Sequence, residues 1–126
     1  MIITGLDHLV LTVASIKRTS AFYERVLGMQ VETFAGGSRT ALKFGDQKIN
    51  LHEAGKEFEP KAASATPGSG DLCFVVDDVT EAKARLEGES VELIDGPIPR
   101  TGARGPILSV YCRDPDGNLI ELSQYE

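Results

Sequence analysis

The chain of 126 residues is 41% apolar and 25% charged, the proportions of an ordinary globular protein rather than a disordered or fibrous one. Thirteen Lys and Arg against nineteen Asp and Glu leave a net charge of −6, the wrong sign for neutralising nucleic-acid phosphates or an anionic membrane. The longest apolar stretches, near Leu9–Leu11 and Leu72–Val76, are too short to cross a bilayer, and Met1–Val10 lacks the pattern of a signal peptide, so a cytosolic protein is expected.

In chain order, Asp7–Val13 is a β-rich run. It is followed by Ser15, placed to cap a helix, by apolar residues at helical spacing (Ile16, Thr19, Tyr23, Val26, Leu27) and by a stop at Gly28. Three strand-like segments come next, at 30–34, 39–44 and 48–53, the last two joined by the turn Gly45-Asp46-Gln47. Residues 54–69, rich in Ala, Ser, Pro and Gly, read as a linker. The pattern then repeats. Gly70–Val76 matches the first run, Asp78 and Glu81 resemble a capping box, and Val79, Ala82 and Leu86 mark a helix ending near Gly88. Strands are expected at 90–94, 107–113 and 118–124, with the turn Asp114-Pro115-Asp116-Gly117 between the last two.

The expected fold is therefore α+β, two βαβββ modules at about residues 5–54 and 70–125 within one domain. Modules this small bury too little alone, so they should pair within the chain or between two chains, and a homodimer is the natural expectation. Cys73 and Cys112 sit in apolar runs and are expected to be buried, inert thiols without a disulfide.

Strand alternation puts Leu9, Leu11 and Val13 on the helix side of the first strand, leaving His8, Val10 and Thr12 opposite. The same reasoning leaves Asn50 and His52, Asp71 and Cys73, and Glu121 and Ser123 on the open faces. His8, His52, Asp71 and Glu121 are thus four metal-ligand types at what read as equivalent points of the repeat. Either each is a separately satisfied polar residue, or together they hold a divalent cation. Two imidazoles with carboxylates suit Fe, Mn, Ni, Co or Zn and leave positions for substrate oxygens.

Asp7-His8-Leu9, the helix end Phe22-Tyr23-x-x-Val26-Leu27-Gly28 and the run Asp114-Pro115-Asp116-Gly117-Asn118-Leu119-Ile120-Glu121-Leu122 resemble the vicinal oxygen chelate superfamily. That superfamily includes glyoxalase I, extradiol dioxygenases, fosfomycin-resistance transferases and bleomycin-binding proteins. Gly96–Pro106 and Ile49–His52 further resemble the subgroup called glyoxalase domain-containing protein 5. The resemblance implies paired modules forming an open, cup-shaped barrel around one divalent metal per site, with His8, His52, Asp71 and Glu121 as ligands. Many relatives have His where this chain has Asp71. It also implies modules exchanged between the chains of a dimer.

The activity implied is glyoxalase-type isomerisation of a small substrate through two neighbouring oxygens, with Glu121 as the base. Extradiol ring cleavage is the nearest alternative. It commonly uses a further His, and this chain has two in all. A binding protein that sequesters a drug or metabolite without turnover is the alternative from another class. The segment 96–106, with three Pro, three Gly and two Arg, reads as a loop beside the cup. Its Arg100 and Arg104 either contact an anionic substrate or serve solubility. Tyr111 and Thr12 are further candidate substrate contacts, and Tyr111 otherwise belongs to the core. Arg39 and Lys43 read as surface charges on a strand.

Overall fold

A computed structural model describes residues 1–126, which form two compact units, Met1–Pro67 and Gly68–Glu126. The first contains β1 (His8–Val13), α1 (Ile16–Arg25), β2 (Gln30–Phe34), β3 (Arg39–Phe44) and β4 (Gln47–Glu53). The second contains β5 (Asp71–Val75), α2 (Val79–Gly88), β6 (Asp95–Gly102), β7 (Gly105–Arg113) and β8 (Leu119–Tyr125). Each unit is a βαβββ module with a four-stranded open sheet, in the orders β1-β4-β3-β2 and β5-β8-β7-β6. The first and last strands of each module run parallel, and the remaining pairs are antiparallel. No helix is long and apolar enough to cross a membrane.

The helices start where their caps dictate. Ser15 accepts from the Arg18 amide at 3.1 Å, and Asp78 accepts from the Thr80 and Glu81 amides at 2.9 and 3.2 Å. A second acceptor reaches each helix start from the last strand: Glu53 takes the Ile16 amide at 3.1 Å and Gln124 takes the Val79 amide at 2.9 Å. Each module therefore ties its crossover helix to the end of its parallel strand pair. Thr19, Phe22, Tyr23 and Val26, spaced i, i+3, i+4 and i+7, form the buried stripe of α1, which packs on β2, β3 and β4. Val79 and Leu86 do the same for α2, over β6, β7 and β8.

Under α1 lie Val13, Leu42, Ile49 and Leu51, all fully excluded from water, and the second module buries Val110 and Ile120 as completely. Each such aliphatic side chain contributes about 1.5–3 kcal/mol relative to exposure. The expected helix-facing residues of β1, β4 and β8 are the ones found in the core, except that Leu9 is half-buried.

The second module departs from expectation at one place. Residues 90–94 are not a strand: Ser90 adopts φ +59° and the Val91 amide bonds the Leu86 carbonyl at 2.9 Å, a wrap that ends α2. The edge position belongs instead to the Pro- and Gly-rich segment expected to be a loop, which forms most of β6 and turns into β7 as a hairpin, Ile98–Gly102 pairing with Gly105–Ser109. Prolines are tolerated there because one side of an edge strand has no ladder to serve. The register shifts between Asp95 and Ile98, where Gly96 at φ +98° lies so close to β7 that a Cβ would come within 2.2 Å of the Ser109 carbonyl oxygen.

Candidate functional site

In a parallel pair, the register states which side chains share a level. On β1 and β4, His8 lies opposite Lys48, Val10 opposite Asn50 and Thr12 opposite His52. On β5 and β8, Asp71 lies opposite Leu119 and Cys73 opposite Glu121. Counting back from the helix-tying residues Glu53 and Gln124, the counterpart of Glu121 in module one is Asn50, and the counterpart of His52 is Ser123. The expected equivalence of His52 with Glu121 is thus corrected by two residues. His8 and His52 sit four residues apart along the β1–β4 pair, about 13 Å at strand rise.

His8 is half-exposed at the start of β1, and its Nδ1 bonds Asp7 Oδ2 at 2.7 Å. A carboxylate accepts, so the proton sits on Nδ1 and the Nε2 lone pair is left for an external partner, the arrangement that orients metal-binding imidazoles. That bond also holds the Asp7 carboxyl below its usual range.

His52 is in a different situation. It is 4% exposed, its Nε2 faces Arg39 Nη2 at 3.3 Å, and its Nδ1 is buried without a partner. Arg39, expected at the surface, is half-buried, with its guanidinium 5.4 Å from the Phe34 ring centre and 4.4 Å from that of Phe58. Phe58, from the linker, also meets the His52 ring edge-on at 5.5 Å. Lys43, by contrast, pairs with Glu32 at 3.6 Å as a strand charge does. Thr12 is buried beside His52 on β1. Asn50, which strand alternation placed on the open face without giving it a role, is 5% exposed, and its Oδ1 is buried without a partner.

Burial, and then the Arg39 charge, push the His52 pKa below the ordinary imidazole value of 6.5. The unfolded chain takes up this proton near pH 6.5 and the folded chain only at lower pH. The stabilisation is therefore complete above that value and is lost as pH falls through it. The melting temperature should fall between pH 7.5 and 5.5, and fall less in His52→Gln; equal falls in both proteins would contradict this assignment.

Module two gathers its polar groups around Glu121. Ser109 donates to Glu121 Oε2 at 2.7 Å; Ser123 Oγ lies 2.6 Å from the Ser109 oxygen and 3.2 Å from the same carboxylate oxygen. Cys73 Sγ joins at 3.2 Å from Ser123, so protons directed from Cys73 through Ser123 and Ser109 converge on the carboxylate. Ser109 and Ser123 are completely buried or nearly so. Cys73 is exposed, correcting the expectation of burial; partial desolvation of its Sγ, with the nearby Glu121 and Asp71 carboxylates, still raises its pKa, and Cys112 is buried and raised to about 11.

Tyr111 lies opposite Glu121 on β7 and accepts from Arg100 Nε at 3.1 Å. It is half-buried on the open face rather than in the core, and burial together with the Glu121 charge keeps the phenol protonated. Arg100 is thereby drawn into the face. Arg104 stacks on Tyr125 at 4.3 Å and is exposed at the hairpin end. Asp71 is exposed at the start of β5.

Taken module by module, the first offers an oriented imidazole at His8 and an orphaned buried amide oxygen at Asn50, and the second offers carboxylates at Asp71 and Glu121, all donor types taken by borderline-to-hard divalent ions. His52 does not fit the set, since a guanidinium occupies its Nε2. No three His, Cys, Asp or Glu side chains of the chain stand together as a ready-made metal cluster.

A model of the Glyoxalase/Bleomycin resistance protein/Dioxygenase superfamily matches residues 5–122. Glyoxalase domain-containing protein RDO1 of Mycosarcoma maydis is 55% identical over 98% of this chain and 70% of its own length. Virulence protein STM3117 of Salmonella typhimurium is 53% identical over 99% of this chain and 87% of its own. The crystal structure of STM3117 matches with a TM-score of 0.98 over 100% of both chains. At greater distance stand an ethylmalonyl-CoA/methylmalonyl-CoA epimerase of Cereibacter sphaeroides, 28% identical over 94% of this chain and 96% of its own length, and two further structures. These are a lactoylglutathione lyase from Agrobacterium tumefaciens (26% identity, TM-score 0.73, 96% and 93% covered) and TnmS3, an antibiotic-binding protein from Streptomyces (25%, 0.77, 100% and 99%).

Proposed function

Because the chain belongs to the glyoxalase, bleomycin resistance protein and dioxygenase superfamily, we propose that it is a divalent-metal-dependent enzyme that moves a proton on carbon beside two neighbouring oxygens of a small substrate. The observation that carries this reading is His8, whose Nδ1 is engaged by Asp7 so that Nε2 is presented outward as a ligand. We assign His8, Asp71 and Glu121 as ligands, with Asn50 rather than His52 as the fourth donor. The ion, one of Ni, Zn, Mn, Co or Fe, supplies Lewis-acid stabilisation of an oxyanion when bound. We assign the working form as a homodimer.

The residues around Glu121 divide the remaining work. Ser109 donates to one carboxylate oxygen and is itself held by Ser123, which keeps Glu121 at its post during the reaction. Tyr111, protonated and facing Glu121, is the donor that returns a proton, and Glu121 is the acceptor that takes one. Arg100 holds the Tyr111 oxygen in place. The relatives named as epimerase and lactoylglutathione lyase both have names that fit proton movement next to a carbonyl carbon.

The test is deuterium incorporation. The metal-loaded protein, in deuterated buffer, is offered methylmalonyl-CoA and the glutathione hemithioacetal of methylglyoxal, followed by NMR, with and without chelator. Exchange at the carbon beside the carbonyl, abolished by chelator and restored by one of the five metals, is expected for at least one of them. If neither exchanges with any metal, while elemental analysis finds no ion retained per subunit, the enzyme reading falls. Sequestration of an aromatic compound then leads, favoured by the ring surfaces of Phe34 and Phe58.

A further inference from the structure

Module one carries two cations that form no ion pair. The Arg39 guanidinium and the Lys48 ammonium, 5.4 and 4.0 Å from the ring centre of Phe34, converge on one aromatic side chain. No carboxylate pairs with either. The nearest acids hold other partners: Glu32 pairs with Lys43 at 3.6 Å, Asp7 bonds His8 at 2.7 Å and acts on Lys48 only through space, Glu57 accepts from the Gly55 amide at 3.1 Å and Glu59 pairs with Lys61. In a chain with six more acids than bases, two cations without an ion pair beside one ring leave a local positive charge that an anion can meet.

The surroundings are built rather than incidental. Arg39, Asn50, His52 and Thr12 lie on one face of neighbouring strands, and Phe58 covers the guanidinium from the linker side at 4.4 Å. Three polar atoms in this patch are buried with no partner: Arg39 Nε, His52 Nδ1 and Asn50 Oδ1. With its Nε2 accepting from Arg39, the His52 ring carries its proton on Nδ1, so two of the three orphans are N–H donors. Unmet donors beside unpaired cations describe the complement of an anion.

We propose that Arg39 and Lys48, with Phe34 and Phe58 as walls and His52 positioning the guanidinium, form a subsite for an anionic group of the substrate, a carboxylate or a phosphate, on the same face of module one as His8 and Asn50. Arg39 supplies the fork and Lys48 the point charge. Only the statement that this anion belongs to the substrate rests on the function proposed above. Anion binding itself requires neither metal nor turnover.

The experiment titrates inorganic phosphate and, separately, succinate into the full-length protein, prepared without added metal, following amide shifts by NMR. One or both should bind with a millimolar Kd, perturbing β3 and β4. Arg39→Gln should weaken binding at least tenfold and Lys48→Gln about threefold to tenfold, whereas Arg100→Gln should leave it within twofold. Preference for phosphate identifies a phosphorylated substrate tail, and preference for succinate a carboxylic one. Phe58→Ala, which touches no main-chain bond, stands in if Arg39→Gln fails to fold, and is expected to weaken binding about threefold. Binding of neither anion, or binding unchanged in Arg39→Gln, overturns the proposal, as does loss in Arg100→Gln alone. Anion binding without deuterium exchange would retain this subsite while refuting the enzyme reading.

Discussion

Glu121→Ala is expected to lose divalent metal retention and to lower the rate of carbon–proton exchange by about a hundredfold or more. The substitution removes an assigned ligand and the proton acceptor together. It leaves the hydroxyls of Ser109 and Ser123, 2.6 Å apart, to satisfy one another, so the module should remain folded. His52→Ala is the informative contrast. Its ring is engaged with Arg39 and lies at the level of Thr12, four residues from His8, so metal content per subunit should remain close to that of the unaltered protein. Elemental analysis of the two variants reads both outcomes. Metal lost in His52→Ala and kept in Glu121→Ala would reverse the ligand assignment. Asn50→Ala separates the fourth position, with an expected loss of metal affinity and no change in Tyr111 or Arg100.

The largest effect on stability is expected at Asn118, which is 1% exposed. Its Nδ2 donates to Asp114 Oδ2 at 2.7 Å and its Oδ1 accepts from the Gly70 amide at 2.7 Å, tying the start of β5 to the turn between β7 and β8. Asp114 is itself buried and receives the amides of Asp116 and Asn118 at 2.9 and 3.0 Å. Asn118→Ala takes one donor from a buried carboxylate and strands the Gly70 amide, for about 3–4 kcal/mol. Urea unfolding should show a lower midpoint with the slope unchanged, and a melting temperature reduced by about 10 °C or more. A loss below about 1 kcal/mol would mean that water replaces the amide at both contacts.

Much of this architecture is legible in the residues themselves. Ser15 and Asp78 announce helix starts, the i, i+3, i+4, i+7 stripe of α1 is explicit, and alternation in β1, β4 and β8 separates core from open face. Such features are local. A side chain that caps its own helix or lines one face of its own strand needs no information from elsewhere in the chain. The internal repeat is equally visible, because both copies use the same local rules.

The misreadings arose where a residue's role depends on a distant neighbour. Residues 90–94 have strand composition, yet the edge of the second sheet went to 95–102, whose prolines are harmless once that strand has a free side. Arg39 looks like any alternating strand charge until Phe34 and Phe58, one from the next strand and one from the linker, are seen to enclose it.

Periodicity and capping act over a few residues, and they are enough to specify two βαβββ modules, their helix boundaries and the set of polar residues on their open faces. Which of those polar residues share a level depends on contacts between strands far apart in the chain. A register between parallel strands is set by a long crossover, residues 14–46 in the first module and 76–118 in the second, anchored here by Glu53 on Ile16 and Gln124 on Val79. A shift of two residues leaves alternation intact while replacing His52 by Asn50 as the counterpart of Glu121.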